Sequence, residues 1–191
     1  TIVEESGKPA QFKKTSLVRV PIRLGEDVFT KGKISKEKIE QLINTMFAFY
    51  FLMDVHDVKI VRACATSAMR EAKNRKDVIK KIKESTQIDI EILSGDEEAN
   101  LIFSNYFTQN LDVNANYLYI DVGGGSTELT LIKGGKRIKG ESFEVGTVRM
   151  LSNAVDKKVW ERARKWIQSS LKENEKITAI GTGGNINTLF K

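Results

Sequence analysis

The chain has 191 residues, 40% of them hydrophobic, with a formal charge of +6, enough apolar material for one large or two small domains. A single cysteine, Cys64, and a single histidine, His56, exclude an internal disulfide and a Cys/His zinc cage. No run approaches the roughly 18 apolar residues of a membrane span and the N-terminus lacks a signal-peptide pattern, so a cytoplasmic setting away from membranes is expected, while the basic balance suits an anionic partner.

Leu17 to Leu24 alternates Val18, Val20, Ile22 and Leu24 with Arg19, Pro21 and Arg23, which predicts a strand, at a sheet edge because Pro21 lacks an N–H. From Ser35, a fitting N-cap, the residues Ile39, Leu42, Ile43, Met46, Phe47 and Tyr50 recur at three- and four-residue steps and predict a helix to about Met53. Val58 to Ala63 reads as a buried strand, with His56 in the preceding loop and Cys64 as a packed small side chain at its end. A basic helix around Asp77 to Glu84 and a strand through Ile88, Ile90 and Ile92 follow. Ser94-Gly-Asp-Glu97 has capping-box spacing, so a helix should begin there and carry Glu97, Glu98, Leu101, Ile102 and Tyr106.

The polar, Asn-rich stretch 108–116 is the expected domain junction, dividing the chain into 1–107 and 108–191. Beyond it, strands Tyr117 to Val122, Thr127 to Ile132 and Arg137 to Phe143 predict an antiparallel meander, turning at glycines 123–125 and at Lys133-Gly-Gly-Lys136. A helix from about Asp156 to Leu171, with Trp160 and Trp166 read as packing residues, leads to strand Ile177 to Ile180 and the loop Gly181-Thr-Gly-Gly184. Strands alternating with helices in both halves predict an α/β fold with mixed sheets.

Two segments carry chemistry. In Asp121-Val-Gly-Gly-Gly-Ser-Thr-Glu128, the glycines let the backbone approach an anion and turn its amides inward, and the flanking acids suit a hard cation or the orientation of a water. The segment fits neither a Walker A loop nor a dinucleotide fingerprint; the bland alternative is a tight hairpin. The loop at 181–184 sits between a strand and a helix start, where free amides form an anion site.

Ile92-Leu-Ser-Gly-Asp-Glu-Glu-Ala-Asn-Leu-Ile-Phe103 followed by Tyr119-Ile-Asp-Val-Gly-Gly-Gly-Ser-Thr-Glu-Leu129 resembles the paired signature of the exopolyphosphatase / guanosine pentaphosphate phosphohydrolase (Ppx/GppA) family. Ala65-Thr-Ser-Ala-Met-Arg-Glu-Ala72, Val145-Gly-Thr-Val-Arg149 and Gly181-Thr-Gly-Gly184 fall in the expected order, so the likeness runs along nearly the whole chain. The resemblance implies an actin-like (ribonuclease H-like) fold with two domains facing across a cleft, and helices flanking the sheets. It also implies hydrolysis of terminal orthophosphate from inorganic polyphosphate or guanosine pentaphosphate, assisted by Mg²⁺.

Carried over, Glu98 becomes the base that activates a water, Asp121 and Glu128 the Mg²⁺-linked acids, and Arg70 a cationic contact. Gly123, Gly124, Gly125 and Ser126, with Gly181, Gly183 and Gly184, become the phosphate loops. By itself, a first-turn helix position would depress the pKa of Glu98 unless burial opposed it. Arg70 is equally readable as a surface residue, and Arg149 is left open as a ligand contact. Family members open with a strand–turn–strand unit bearing an Asp-x-Gly-Ser-Asn type motif and continue past the last glycine loop; neither feature is in this sequence, so a fold truncated at both ends is expected. Rival expectations are an actin-like ATPase or kinase, and a non-catalytic module binding polyphosphate or guanosine tetraphosphate. A homodimer is the candidate assembly, and nucleic acid is not an expected partner.

Overall fold

The computed structural model describes residues 1–6, 11–101, 112–172, 175–183 and 186. A hairpin opens the chain, β1 (Ile2–Ser6) antiparallel to β2 (Gln11–Ser16), with Glu4 opposite Lys13. Such a cross-strand charge pair favours this register. Helices α1 (Leu24–Lys31) and α2 (Lys36–Val55) follow, the latter capped by Ser35, whose hydroxyl accepts from the Lys38 amide at 3.4 Å. Next come β3 (Ala63–Ala65), α3 (Ser67–Glu71), α4 (Arg75–Thr86), β4 (Ile90–Ile92) and α5 (95–101). β3 and β4 pair in parallel, and one core cluster joins Val28, Ile39, Leu42, Met69, Val78 and Ile82. Ile82 is fully buried there, so Ile82→Ala is expected to cost about 2–5 kcal/mol, read as a lowered urea midpoint at unchanged slope.

The second half is built on β5 (Tyr117–Val122), β6 (Thr127–Lys133), β7 (Lys136–Phe143) and β8 (Thr178–Thr182), with α6 (Thr147–Leu151) and α7 (Lys157–Ser170) between β7 and β8. The sheet order is β7-β6-β5-β8; β5 and β8 are parallel and the other pairs antiparallel. A parallel pair needs a long crossover connection, which α7 supplies. Glycines at positive φ, Gly134 (58°) and Gly135 (70°), make the tight β6–β7 turn. The fold is thus α/β with mixed sheets, as expected. No helix among the described residues is long and apolar enough to cross a membrane.

Several expectations are corrected. Residues 17–23 form no strand: Leu17, Val18 and Val20 are exposed, and Arg23 turns left-handed (φ 55°) into α1. The strand expected over Val58 to Ala63 is confined to Ala63–Ala65, because β4 offers only three residues to pair with; Ile60 is left 89% exposed. Cys64 is exposed rather than packed, its Sγ facing Glu91. Trp166 packs edge-to-face on Phe143, whereas Trp160 lies off the buried face of α7 and is half exposed. The junction expected at 107/108 and the residues Ile102, Phe103 and Tyr106 lie outside the described residues.

Candidate functional site

The sheet register aligns a row of four residues across four strands. Ser142 on β7 opposes Glu128 on β6, Glu128 opposes Asp121 on β5, and Asp121 opposes Thr182 on β8. Directly opposed residues share a face, so two carboxylates stand side by side, an arrangement that opposes folding unless something compensates. The outer strands provide donors: Ser142 Oγ donates to Glu128 Oε1 at 2.8 Å, and Thr182 Oγ1 to Asp121 Oδ1 at 2.7 Å. Glu128 is only 2% exposed, and burial raises its pKa against the hydrogen bonds from Ser126 and Ser142.

Above this row the chain turns through Gly123–Gly125, closed by the Gly123 amide donating to Ser126 O at 2.9 Å. All three glycine carbonyls are engaged. Gly123 O accepts from the Thr147 amide (3.1 Å), and Gly124 O from the Val148 and Arg149 amides (2.8 and 3.1 Å). Gly125 O accepts from Arg149 Nε at 2.8 Å. In a trans peptide the N–H points opposite to the preceding C=O, so fixing these carbonyls on α6 and Arg149 turns the amides of 124–126 the other way. Little room exists for side chains: a Cβ on Gly125 would stand 2.6 Å from Ser67 Oγ, and one on Gly146 2.5 Å from the Gly124 carbonyl. The second loop adjoins the first, since a Cβ on Gly183 (φ 106°) would stand 2.3 Å from Val122 O. Gly184 lies outside the described residues.

Glu98 comes from the other half. The capping box forms as expected, with the Glu97 amide donating to Ser94 Oγ (3.2 Å) and the Ser94 amide to Glu97 Oε2 (2.7 Å). This starts α5 at a fixed point and sets Glu98 one turn in. The Glu98 side chain is 17% exposed, and its buried Oε2 has no hydrogen-bond donor. Arg70 Nη1 approaches that oxygen only to 3.5 Å, because it donates to the Leu93 carbonyl at 2.6 Å. Burial, with the nearby charge of Glu128, pushes the Glu98 pKa up to about 7 against the pull of Arg70. A first-turn helix position depresses the value only where burial does not oppose it; here burial does, and it decides the direction.

A cleft of about 380 Å³ runs between the halves, lined by Arg70, Glu71, Gly95, Ser126, Ser142 and Glu144. Arg70 and Ser126 reach it, and Glu98 stands behind Arg70; Gly181 and Gly183 support β8 beside the row without lining the cleft. Arg149, left open as a ligand contact, is buried, bonded to Gly125 and ion-paired with Glu71. Sequence reasoning did not single out Ser142, Thr182 or Glu71; the first two reveal themselves only through register. A second depression of about 450 Å³ is lined by Asp54, Asp57 and Asp89 but no cation, which makes it unsuited to a polyanion.

Over residues 3–189 the sequence matches the family described as Ppx/GppA phosphatase. It is 30% identical over 203 residues to a bifunctional 3-dehydroquinate synthase/phosphatase of Fusobacterium nucleatum, covering 97% of this chain and 31% of that protein. It is also 30% identical over 124 residues to exopolyphosphatase 1 of Mycobacterium tuberculosis, covering 65% of this chain and 35% of that protein. Among solved structures, an exopolyphosphatase from Cytophaga hutchinsonii superposes with a TM-score of 0.77 at 25% identity, covering 98% of this chain and 63% of that one. A family member from Aquifex aeolicus gives 0.67 at 26% identity, with coverage of 88% and 57%. The chain therefore spans about a third of the length of these curated relatives.

Proposed function

This chain belongs to the Ppx/GppA phosphatase family, and from that premise we propose that it forms the centre of a phosphohydrolase releasing orthophosphate from the end of inorganic polyphosphate or guanosine pentaphosphate. In this account 1–107 and 108–191 are the facing domains of the actin-like fold. The observation that carries the proposal is the buried, donor-poor carboxylate of Glu98 beside Arg70, a residue that lines the cleft, with Glu128 and Asp121 near enough for their charges to act on it.

A carboxyl group poised near neutrality is suited to proton abstraction at physiological pH. Glu98 takes a proton from a water, the water oxygen bonds to the terminal phosphorus, and the bridging P–O bond breaks; orthophosphate and a chain one phosphate shorter result. Arg70 and the amides of 124–126 balance the charge on the phosphoryl oxygens. The net charge of +6 draws a polyanion towards the protein.

The residues present fit a Mg²⁺ ion in one respect, an all-oxygen donor set with two adjacent carboxylates, Asp121 and Glu128. Among the described residues no three acidic, histidine or cysteine side chains form a cage, so such an ion would draw most of its ligands from water and phosphate oxygens, as Mg²⁺ usually does. When bound it would neutralise charge on the phosphate chain.

Orthophosphate release should be measured from polyphosphate, guanosine pentaphosphate and ATP, each with Mg²⁺ and with a chelator. Release from one of the first two, dependent on Mg²⁺ and well above that from ATP, is expected. Turnover of ATP alone would favour the actin-like ATPase, and ligand-induced thermal stabilisation with no release would favour the binding module.

A further inference from the structure

Arg149 lies on the short helix α6, yet its guanidinium joins three parts of the molecule. Nε donates to the Gly125 carbonyl at 2.8 Å, Nη2 forms an ion pair with Glu71 at the end of α3, and the group stacks over the Phe29 ring of α1, 4.2 Å from its centroid. The residue is only 8% exposed. A planar fork with fixed donors can span a carbonyl and a carboxylate and still lie flat on an aromatic face, which lysine cannot do.

The three contacts have different consequences. The bond to Gly125 completes the set of acceptors that orients the loop at 123–125. The pair with Glu71 fixes the residue next to Arg70, and so the distance between the loop and the cationic wall of the cleft. It also neutralises a carboxylate that lines that cleft. Without it, an unpaired negative charge would face the path of an incoming polyanion.

We propose that Arg149 is a positioning residue that holds the glycine loop at a set distance from α3 and masks the charge of Glu71, so that it governs both turnover and anion affinity without touching substrate. This rests on the phosphohydrolase proposal for its kinetic consequences but not for its structural ones. In Arg149→Gln, kcat should fall by about tenfold or more, since small misplacements of a loop are costly, and KM should rise. Adding Glu71→Gln should restore KM and leave kcat low. A residue serving stability alone would lose active protein without this split.

Hydrogen exchange provides the independent arm. Amides 147–149 donate to the loop carbonyls, and in Arg149→Gln they should exchange about tenfold faster or more while α2 keeps its protection. Wild-type exchange at 147–149 would overturn the proposal whatever the activity. A wild-type protein that releases no phosphate would instead sink the phosphohydrolase account and leave the exchange result to decide. If Arg149→Gln does not fold, Arg149→Lys is measured in its place. It keeps the charge but loses the second contact and the stacking; faster exchange supports the inference and unchanged exchange overturns it.

Discussion

Glu98→Gln should lower phosphate release by about 10²–10⁴-fold, the usual contribution of a general base, and leave the protein folded. The reason lies in the environment of the carboxylate rather than in its presence alone. Its Oε2 is buried and lacks a hydrogen-bond donor, and the neighbouring charge of Glu128 disfavours ionisation further. The folded pKa of about 7 lies above the ordinary 4.5. Between those values the folded state holds more protons than the unfolded one, so this group's contribution to stability is greatest below pH 4.5. It declines as pH rises to about 7 and is flat beyond.

The ionised carboxylate then costs at most roughly 3 kcal/mol above pH 7, by the conversion of pKa shift to free energy. Glutamine never ionises, so the variant should be the more stable form at pH 8 and should show a shallower fall in stability between pH 5 and 7. Arg70 loses its counter-charge in the variant, which reduces the gain. Activity of the wild type should rise with pH through the same window, because the base must be ionised. Chemical denaturation at pH 5 and pH 8, with phosphate release beside it, tests both consequences. A variant that is active, or destabilised by several kcal/mol at pH 8, would contradict this assignment.

Gly146→Ala should strongly damage the site. Its backbone, φ −146° and ψ 163°, is extended and open to any residue, so conformational freedom is not the reason glycine stands there. Space is. A Cβ would come within 2.5 Å of the Gly124 carbonyl carbon and oxygen, and a backbone held by α6 and Arg149 cannot step aside. Overpacking of this kind costs about 3 kcal/mol or more at the upper end of its range, and relief by displacing the loop should cut kcat by about 10². Gly134→Ala is the control: nothing lies within 4 Å of its Cβ. Its φ of +58° makes it cost about 1–2 kcal/mol, with activity retained. Equal losses of activity in both variants would show that the loop's position is not what matters.

Much of this site was legible because short-range rules govern it. The capping box at Ser94 and Glu97 places Glu98 one turn into α5 from four residues of sequence, and the glycine turn puts Asp121 opposite Glu128 by simple counting. The same counting fails one strand further on. From the Gly134–Gly135 turn, Lys133 pairs with Lys136, and continuing outwards would put Glu128 opposite Glu141, like charge against like. A bulge leaves Ile138 out of register and brings Ser142 into line instead, turning a repulsion into a hydrogen bond. Nothing local to either strand announces that shift.

Likewise, the link from Arg149 to Glu71 spans 78 positions, and the elevated pKa of Glu98 arises from burial between elements distant in sequence. The misread segment 58–62 has the opposite cause. Its residues have a strand's pattern, but β4 is too short to pair with them.

Hydrolysis of inorganic polyphosphate in ¹⁸O-labelled water tests the central claim most directly. If the proton-abstracting carboxylate of Glu98 launches a water at the terminal phosphorus, each orthophosphate released should carry one ¹⁸O, and Glu98→Gln should release almost none. Unlabelled orthophosphate, or labelled product formed at an undiminished rate by the variant, would contradict it.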